Sequence, residues 1–174
     1  MSETLTKQLP KKFSAKVVVH RKAGPSGLKK HIAGVVSYCV YGFGGKSNAG
    51  GITPPKLIEA LRAGLPVYEL DALQASLAVP MDKLVPMLGI SKATLHRRKA
   101  GGRLDQAESD RVVRFARLMG NAVEVLESEE NARKWLNSPQ FGLGGAVPLE
   151  YAETEVGARE VEDLLGRIEY GVYS

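Results

Sequence analysis

The spacing of apolar residues divides the chain in two. Before residue 53 two short segments are β-branched or aromatic: Lys16-Val17-Val18-Val19-His20 and Val35-Val36-Ser37-Tyr38-Cys39-Val40-Tyr41. Such runs predict strands. Gly24-Pro25-Ser26-Gly27 lies between them as a turn signal. The stretch from Gly42 to Gly51 has the composition of a flexible linker. Eight of the 19 glycines fall between Gly24 and Gly51. Residues 1–52 therefore read as an extended arm, able to pair as strands only on a partner or a second copy.

From Thr53 the period becomes helical. Thr53 can cap a helix with Pro54 in its first turn, and Leu57, Ile58 and Leu61 form its apolar stripe up to Gly64. Val67, Leu70, Leu73 and Leu77 mark a second helix, ended by Val79-Pro80. Residues 82–99 carry the most information. Leu84, Val85 and Leu88 face a core, Gly89 can take the left-handed backbone of a tight turn, and Ile90 plugs that turn. Ser91 caps a second helix. There Ala93 and Leu95 pack, while Lys92, Thr94, His96, Arg97, Arg98 and Lys99 are polar or cationic. This is the pattern of a helix-turn-helix with an exposed basic recognition helix. Pro86 fits it poorly, because it removes a helical hydrogen bond unless the first helix begins close by.

Gly101-Gly102 stops the recognition helix, and Asp105 with Glu108 forms a capping box for the next. Val112, Phe115, Ala116 and Met119 are its apolar stripe, while Arg111, Arg114 and Arg117 form a basic ridge. A further helix is expected over residues 122–126. Ser128-Glu129-Glu130 opens another, with Ala132, Trp135 and Leu136 inside. Residues 139–146 read as a glycine-containing loop. Pro148 starts a short helix, and Thr154 caps the last one, whose Val161, Leu164, Leu165 and Ile168 keep the i, i+3, i+4, i+7 stripe.

Composition adds little: 44% hydrophobic and 25% charged residues describe a globular chain. Charge adds more. Residues 1–50 carry nine basic side chains and one acidic, a net of +8; residues 51–119 carry eleven and seven, +4; residues 120–174 carry four and eleven, −7. The basic part suits a polyanion such as DNA, and the acidic end suits a protein. No apolar run reaches the roughly 18–20 residues of a membrane span, so no membrane partner is expected. The polar start lacks the apolar stretch of a secretory signal, which predicts a cytoplasmic protein. Cys39 is the single cysteine, in keeping with a reducing compartment.

Catalytic chemistry finds no support in the sequence. Gly45-Lys46-Ser47 looks like the end of a phosphate-binding loop, but that motif needs a glycine where Val40 stands. His20, His31 and His96 show no zinc spacing with Cys39 or a carboxylate. Glu124, Glu127, Glu129 and Glu130 read as a solvated face. No enzyme activity and no cofactor are expected.

From about Leu57 to Tyr173 the chain resembles the Xre/MbcA/ParS group of antitoxins. The likeness rests on Leu88-Gly89-Ile90-Ser91-Lys92-Ala93-Thr94-Leu95-His96-Arg97-Arg98 and on residues 104–118. Most specific is the ordered series Trp135-Leu136, Leu143-Gly144-Gly145, Pro148-Leu149, Thr154, Gly157 and Tyr170-Gly171-Val172-Tyr173. The resemblance implies an all-helical homodimer that binds a toxin of the RES type, which destroys cellular NAD, and represses its own operon. The first 50 residues lie outside it.

The expectation is thus an all-α protein: a helix-turn-helix (Xre-like) domain over 53–120, a small helical toxin-binding domain over 121–174, and a basic arm over 1–52 with short strands. Ser91, Lys92, Thr94, His96, Arg97, Arg98, Lys99 and Arg103 are the candidate contacts to operator DNA. Arg167, Tyr170, Gly171, Val172, Tyr173 and Ser174 are the candidate contacts to the toxin, a short tail that loses little entropy on ordering and carries aromatic rings. Dimerisation is expected through the apolar face of the helix near residues 105–119. A stand-alone transcription regulator and a partitioning adaptor are the rival functions.

Overall fold

A computed structural model describes residues 34–41 and 52–171. The expected strand at residues 16–20, the turn at 24–27, the linker at 42–51 and the tail residues Val172, Tyr173 and Ser174 lie outside the described residues. Among those described, the chain forms nine α-helices, one 3-10 turn and no strand.

The helices are α1 (Val35–Tyr41), α2 (Pro54–Ala63), α3 (Tyr68–Leu77), α4 (Met81–Met87), α5 (Lys92–Gly101), α6 (Gln106–Leu126), α7 (Glu129–Leu136), α8 (Pro148–Tyr151) and α9 (Glu155–Glu169). Four begin where the sequence supplies a local side-chain acceptor for orphan amides. The side chains of Ser91, Asp105, Ser128 and Thr154 accept from the backbone N–H of Thr94, Glu108, Asn131 and Gly157. At Asp105 the capping box is complete, since Glu108 reaches back to accept from the Asp105 N–H at 2.8 Å. Gly89 and Gly102 take the left-handed backbone on either side of α5.

The 21-residue α6 is the central beam, and α1, α2, α3, α7 and α9 pack against it. Val112, Phe115, Ala116 and Met119 are fully buried in one apolar cluster that runs from Val35 to Leu165. The apolar face expected to pair two copies is therefore used inside the chain. The separate helix expected over 122–126 is the continuation of α6.

Residues 35–41 correct the sequence reading most sharply. The segment expected as a strand is α1, and Val35, Val36, Cys39 and Val40 are all buried. Their spacing lays one helical face against α3 and α6, and this burial overrides β-branched propensity. Two further devices hold α1. Glu69 of α3, 1% exposed, accepts from the backbone N–H of Val35 at 2.8 Å and of Val36 at 3.0 Å. Gly120 of α6 lets the α1 backbone approach; a Cβ there would run into the carbonyl oxygens of Cys39 and Val40. Part of the expected arm is thus core.

Candidate functional site

The first site is α5 and its surroundings. Pro86 sits in the last turn of α4, so the helix loses one donor just before it ends at Met87. Gly89 then turns the chain, Ile90 is buried, and the Ile90 N–H reaches back to the Val85 carbonyl at 3.0 Å. Arg111 of α6 donates to the Leu88 carbonyl at 2.8 Å and so braces the turn. Ser91 caps α5 by accepting from the Thr94 N–H, and its hydroxyl also donates to Thr94 Oγ1 at 2.9 Å.

No residue of α5 is buried. Lys92, His96, Arg97 and Lys99 are exposed, with no hydrogen-bond or ion-pair partner among the described residues. Lys92, Arg97 and Lys99 give the exposed side of α5 three cations, with His96 beside them. Ala93, expected to pack, is exposed as well.

Two of the predicted DNA contacts are otherwise engaged. Arg98 donates through Nε to Glu108 Oε2 at 2.8 Å and through NH2 to Asp105 Oδ2 at 2.6 Å. It therefore clamps α5 to the capping box of α6. Arg103 donates to the Gly64 carbonyl at 2.7 Å and satisfies the end of α2. The strap from Gly102 to Leu104 is tied to α3's approach by Val67 N–H to Gly102 O at 3.1 Å and Leu104 N–H to Leu65 O at 2.8 Å. The expected basic ridge of α6 is also consumed internally. Besides Arg111, Arg114 pairs with Glu155 at 3.0 Å and Arg117 with Glu162 at 3.4 Å, both joining α6 to α9.

The second site is the C-terminal end of α9. Val161 and Leu165 are buried, whereas Leu164 and Ile168 are half-buried. Tyr170 is 79% exposed, so its ring does not complete the chain's own core. Gly171 follows with φ of 66°, and its N–H closes on the Ile168 carbonyl at 3.2 Å, which ends the helix. Arg167 is exposed in the last turn with no partner among the described residues. The structure gathers Arg167, Tyr170 and Gly171 at one helix end, remote in sequence from α5.

The sequence missed three features here. Glu69 sits at an unremarkable helical position. Arg98 belongs to a cationic run in which nothing marks it as paired. Phe141, in the 3-10 turn Phe141–Leu143, is fully solvent-exposed in an otherwise closed loop.

Comparison with known proteins bears on both sites. Residues 56–117 match the antitoxin Xre-like helix-turn-helix domain, and residues 121–171 match the antitoxin Xre/MbcA/ParS C-terminal toxin-binding domain. The chain is 36% identical over 120 residues to the antitoxin Xre of Yersinia enterocolitica, covering 68% of this chain and 81% of that protein. It is 35% identical over 122 residues to the antitoxin Xre of Photorhabdus laumondii, covering 69% and 82%. The chain belongs to the Xre/MbcA/ParS family of antitoxins. A third relative, from a Sphingobium species, is named a Prs ADP-ribosylating antitoxin; it is 25% identical over 132 residues, covering 70% of this chain and 83% of that protein. Within the Xre-like domain α4 and α5 are the helix-turn-helix, and within the toxin-binding domain α7 to α9 carry the exposed end at Tyr170. Among the described residues no helix is long and apolar enough to cross a membrane.

Proposed function

We propose that this antitoxin silences a RES-type, NAD-degrading toxin by covering its active site with Arg167, Tyr170, Gly171 and the tail Val172, Tyr173 and Ser174. It does so stoichiometrically, in the cytoplasm, and makes or breaks no bond. The observation that carries the reading is Tyr170: an aromatic ring 79% exposed at a helix end, within the toxin-binding domain. Such a ring offers a large apolar surface for a protein pocket. Residues 121–174 serve the toxin, and residues 53–120 bind operator DNA through Ser91, Lys92, Thr94, His96, Arg97 and Lys99, repressing the operon that encodes the pair. Two half-sites call for a homodimer. With the α6 face buried, α2 supports that role better: it buries no residue and leaves Ile58 exposed.

The test is deletion of residues 171–174, with NAD measured in cells that express the toxin. The truncated chain should fold and bind the toxin more weakly, and NAD should collapse. Full protection by the truncated chain refutes the plug.

The Sphingobium relative favours a second reading, in which the toxin transfers ADP-ribose from NAD to a protein. Both chemistries consume NAD, so the readout is the product. Labelled protein points to transfer, and free ADP-ribose points to degradation.

A further inference from the structure

Phe141 is 96% exposed, more than any other large apolar residue described. Its loop is nonetheless closed by hydrogen bonds on every side. The Gln140 N–H donates to the Ala146 carbonyl at 3.0 Å, and the Gly145 N–H returns to the Gln140 carbonyl at 2.9 Å. The Gln140 side chain donates to the carbonyls of Trp135 at 2.9 Å and Ser138 at 3.0 Å. Gly144 and Gly145 take the left-handed backbone that this tight return requires. Leu143 anchors the turn in the core. The ring is thus presented on a preorganised support, and little entropy is lost when it is covered.

Its position is fixed relative to α9. A Cβ on Gly142 would meet the methyl groups of Leu164, so the turn lies directly on that helix. Helical spacing puts Arg167 and Ile168 one turn beyond Leu164, and Gly171 a further turn on. Phe141 therefore sits in a turn packed on α9 about two helical turns before Gly171.

Charge decides what kind of partner fits. Residues 120–174 carry a net −7, and the exposed acids Glu160 and Asp163 lie within one turn before Leu164 on α9, with the exposed Arg167 one turn beyond it. A polyanion is repelled there, and a second copy would oppose the same acidic face to itself. A protein pocket that is apolar inside and basic at the rim suits the ring and its surroundings.

We propose that Phe141 is a second anchor for the toxin, inserting into an apolar pocket with a basic rim, distinct from the pocket filled by Tyr170 and the tail. This inference rests on the toxin-binding reading above. It adds a site that sets affinity without covering the active centre.

The test titrates the full chain and its Phe141→Ala and Phe141→Leu variants against the RES-domain toxin partner by calorimetry, with sedimentation and melting of the antitoxin alone. Phe141→Ala should raise Kd roughly 10- to 100-fold, as loss of an aromatic hot spot does. Phe141→Leu should stay within about fivefold, and both variants should melt like the parent because the ring touches little of its own chain. A Kd for Phe141→Ala within about twofold of the parent overturns the proposal. So does a variant that loses self-association while its toxin affinity holds. If the parent chain itself does not bind the toxin, the reading above falls together with the anchor. If the parent binds, and deletion of 171–174 releases the toxin while Phe141→Ala binds normally, the anchor alone falls.

Discussion

Replacing Glu69 is expected to damage this protein more than any other change to one charged residue. Its carboxylate is buried and satisfies the first two amides of α1, a segment 33 and 34 residues earlier in the chain. In Glu69→Ala both N–H groups lose their acceptor inside the core, where an unsatisfied group costs roughly 1–3 kcal/mol. Two such groups set a range of about 2–6 kcal/mol, and a water entering the vacated space would bring the loss toward the lower half. Glu69→Gln keeps one carbonyl oxygen but turns an NH2 donor toward an N–H donor, so it should lose roughly 1–3 kcal/mol. For a chain of 174 residues each kcal/mol moves Tm by about 2–4 °C. At about 2–4 kcal/mol, a drop of roughly 4–16 °C for the alanine variant is expected, with a smaller one, about 2–12 °C, for glutamine.

Urea unfolding should show the same order, with the slope unchanged. Hydrogen exchange locates the effect: the amides of Val35 and Val36 should lose protection before the α6 amides do. If both variants melt within about 1 °C of the parent and the two amides stay protected, the carboxylate does not hold α1, and its role as a remote helix cap is refuted.

Three further outcomes follow from particular contacts. On operator DNA, Lys99→Ala should lower the steepness of the salt dependence by about one, as loss of a phosphate contact does, whereas Arg98→Gln should weaken binding with the slope unchanged, because its guanidinium is held by Asp105 and Glu108. Burial pushes the Cys39 thiol up to about 12; Glu69 adds to the rise and Arg117 opposes it. The thiolate is therefore scarce throughout neutral pH, and an alkylating reagent at pH 8 should modify Cys39 only in denaturant. A Cβ at Gly157 would drive into the Tyr151 carbonyl, so Gly157→Ala should cost roughly 1–3 kcal/mol in urea unfolding even though alanine is the better helix former.

The helical half of the fold was legible because each helix announces itself locally. The caps at Ser91, Asp105, Ser128 and Thr154, the left-handed turn at Gly89 and the stripe ending at Leu165 need only short-range spacing. What failed depended on residues distant in sequence. Val35 to Val40 read as a strand by composition, and became helix because Glu69 caps them and the core buries their apolar face. Gly120 carries no signal in the sequence, but its missing Cβ is what admits α1. Arg98, Arg111, Arg114 and Arg117 read as surface cations, although each has an acceptor between 10 and 45 residues away. The sequence marks a charge, while its partner is assigned only by the fold. The same limit applied at Phe141: residues 139–146 read only as a loop, and the ring's exposure is set by how that loop closes.

Both functional ends of this antitoxin hang on α6. Its first turn holds α5 through Arg98, and its arginines at 114 and 117 reach α9. A shared helix does not by itself couple two sites. Coupling needs two states whose affinities for one ligand differ, and α6 is a single uninterrupted helix buried along its apolar face. The polar joints to α9 are partly exposed ion pairs at 3.0 and 3.4 Å, which add little to the apolar packing of Val161 and Leu165 in the shared core. Toxin bound at α9 should therefore leave the affinity of one α5 for a single DNA half-site within about threefold. Any larger gain on a two-half-site operator then comes from assembly, since a toxin that strengthens the antitoxin dimer raises the effective concentration of the second α5. Fluorescence anisotropy on half-site and full-site duplexes, each with and without saturating toxin, separates the two. A half-site affinity that shifts tenfold or more on adding toxin would mean that α6 or its joints possess a second arrangement, and the rigid-beam account would be wrong.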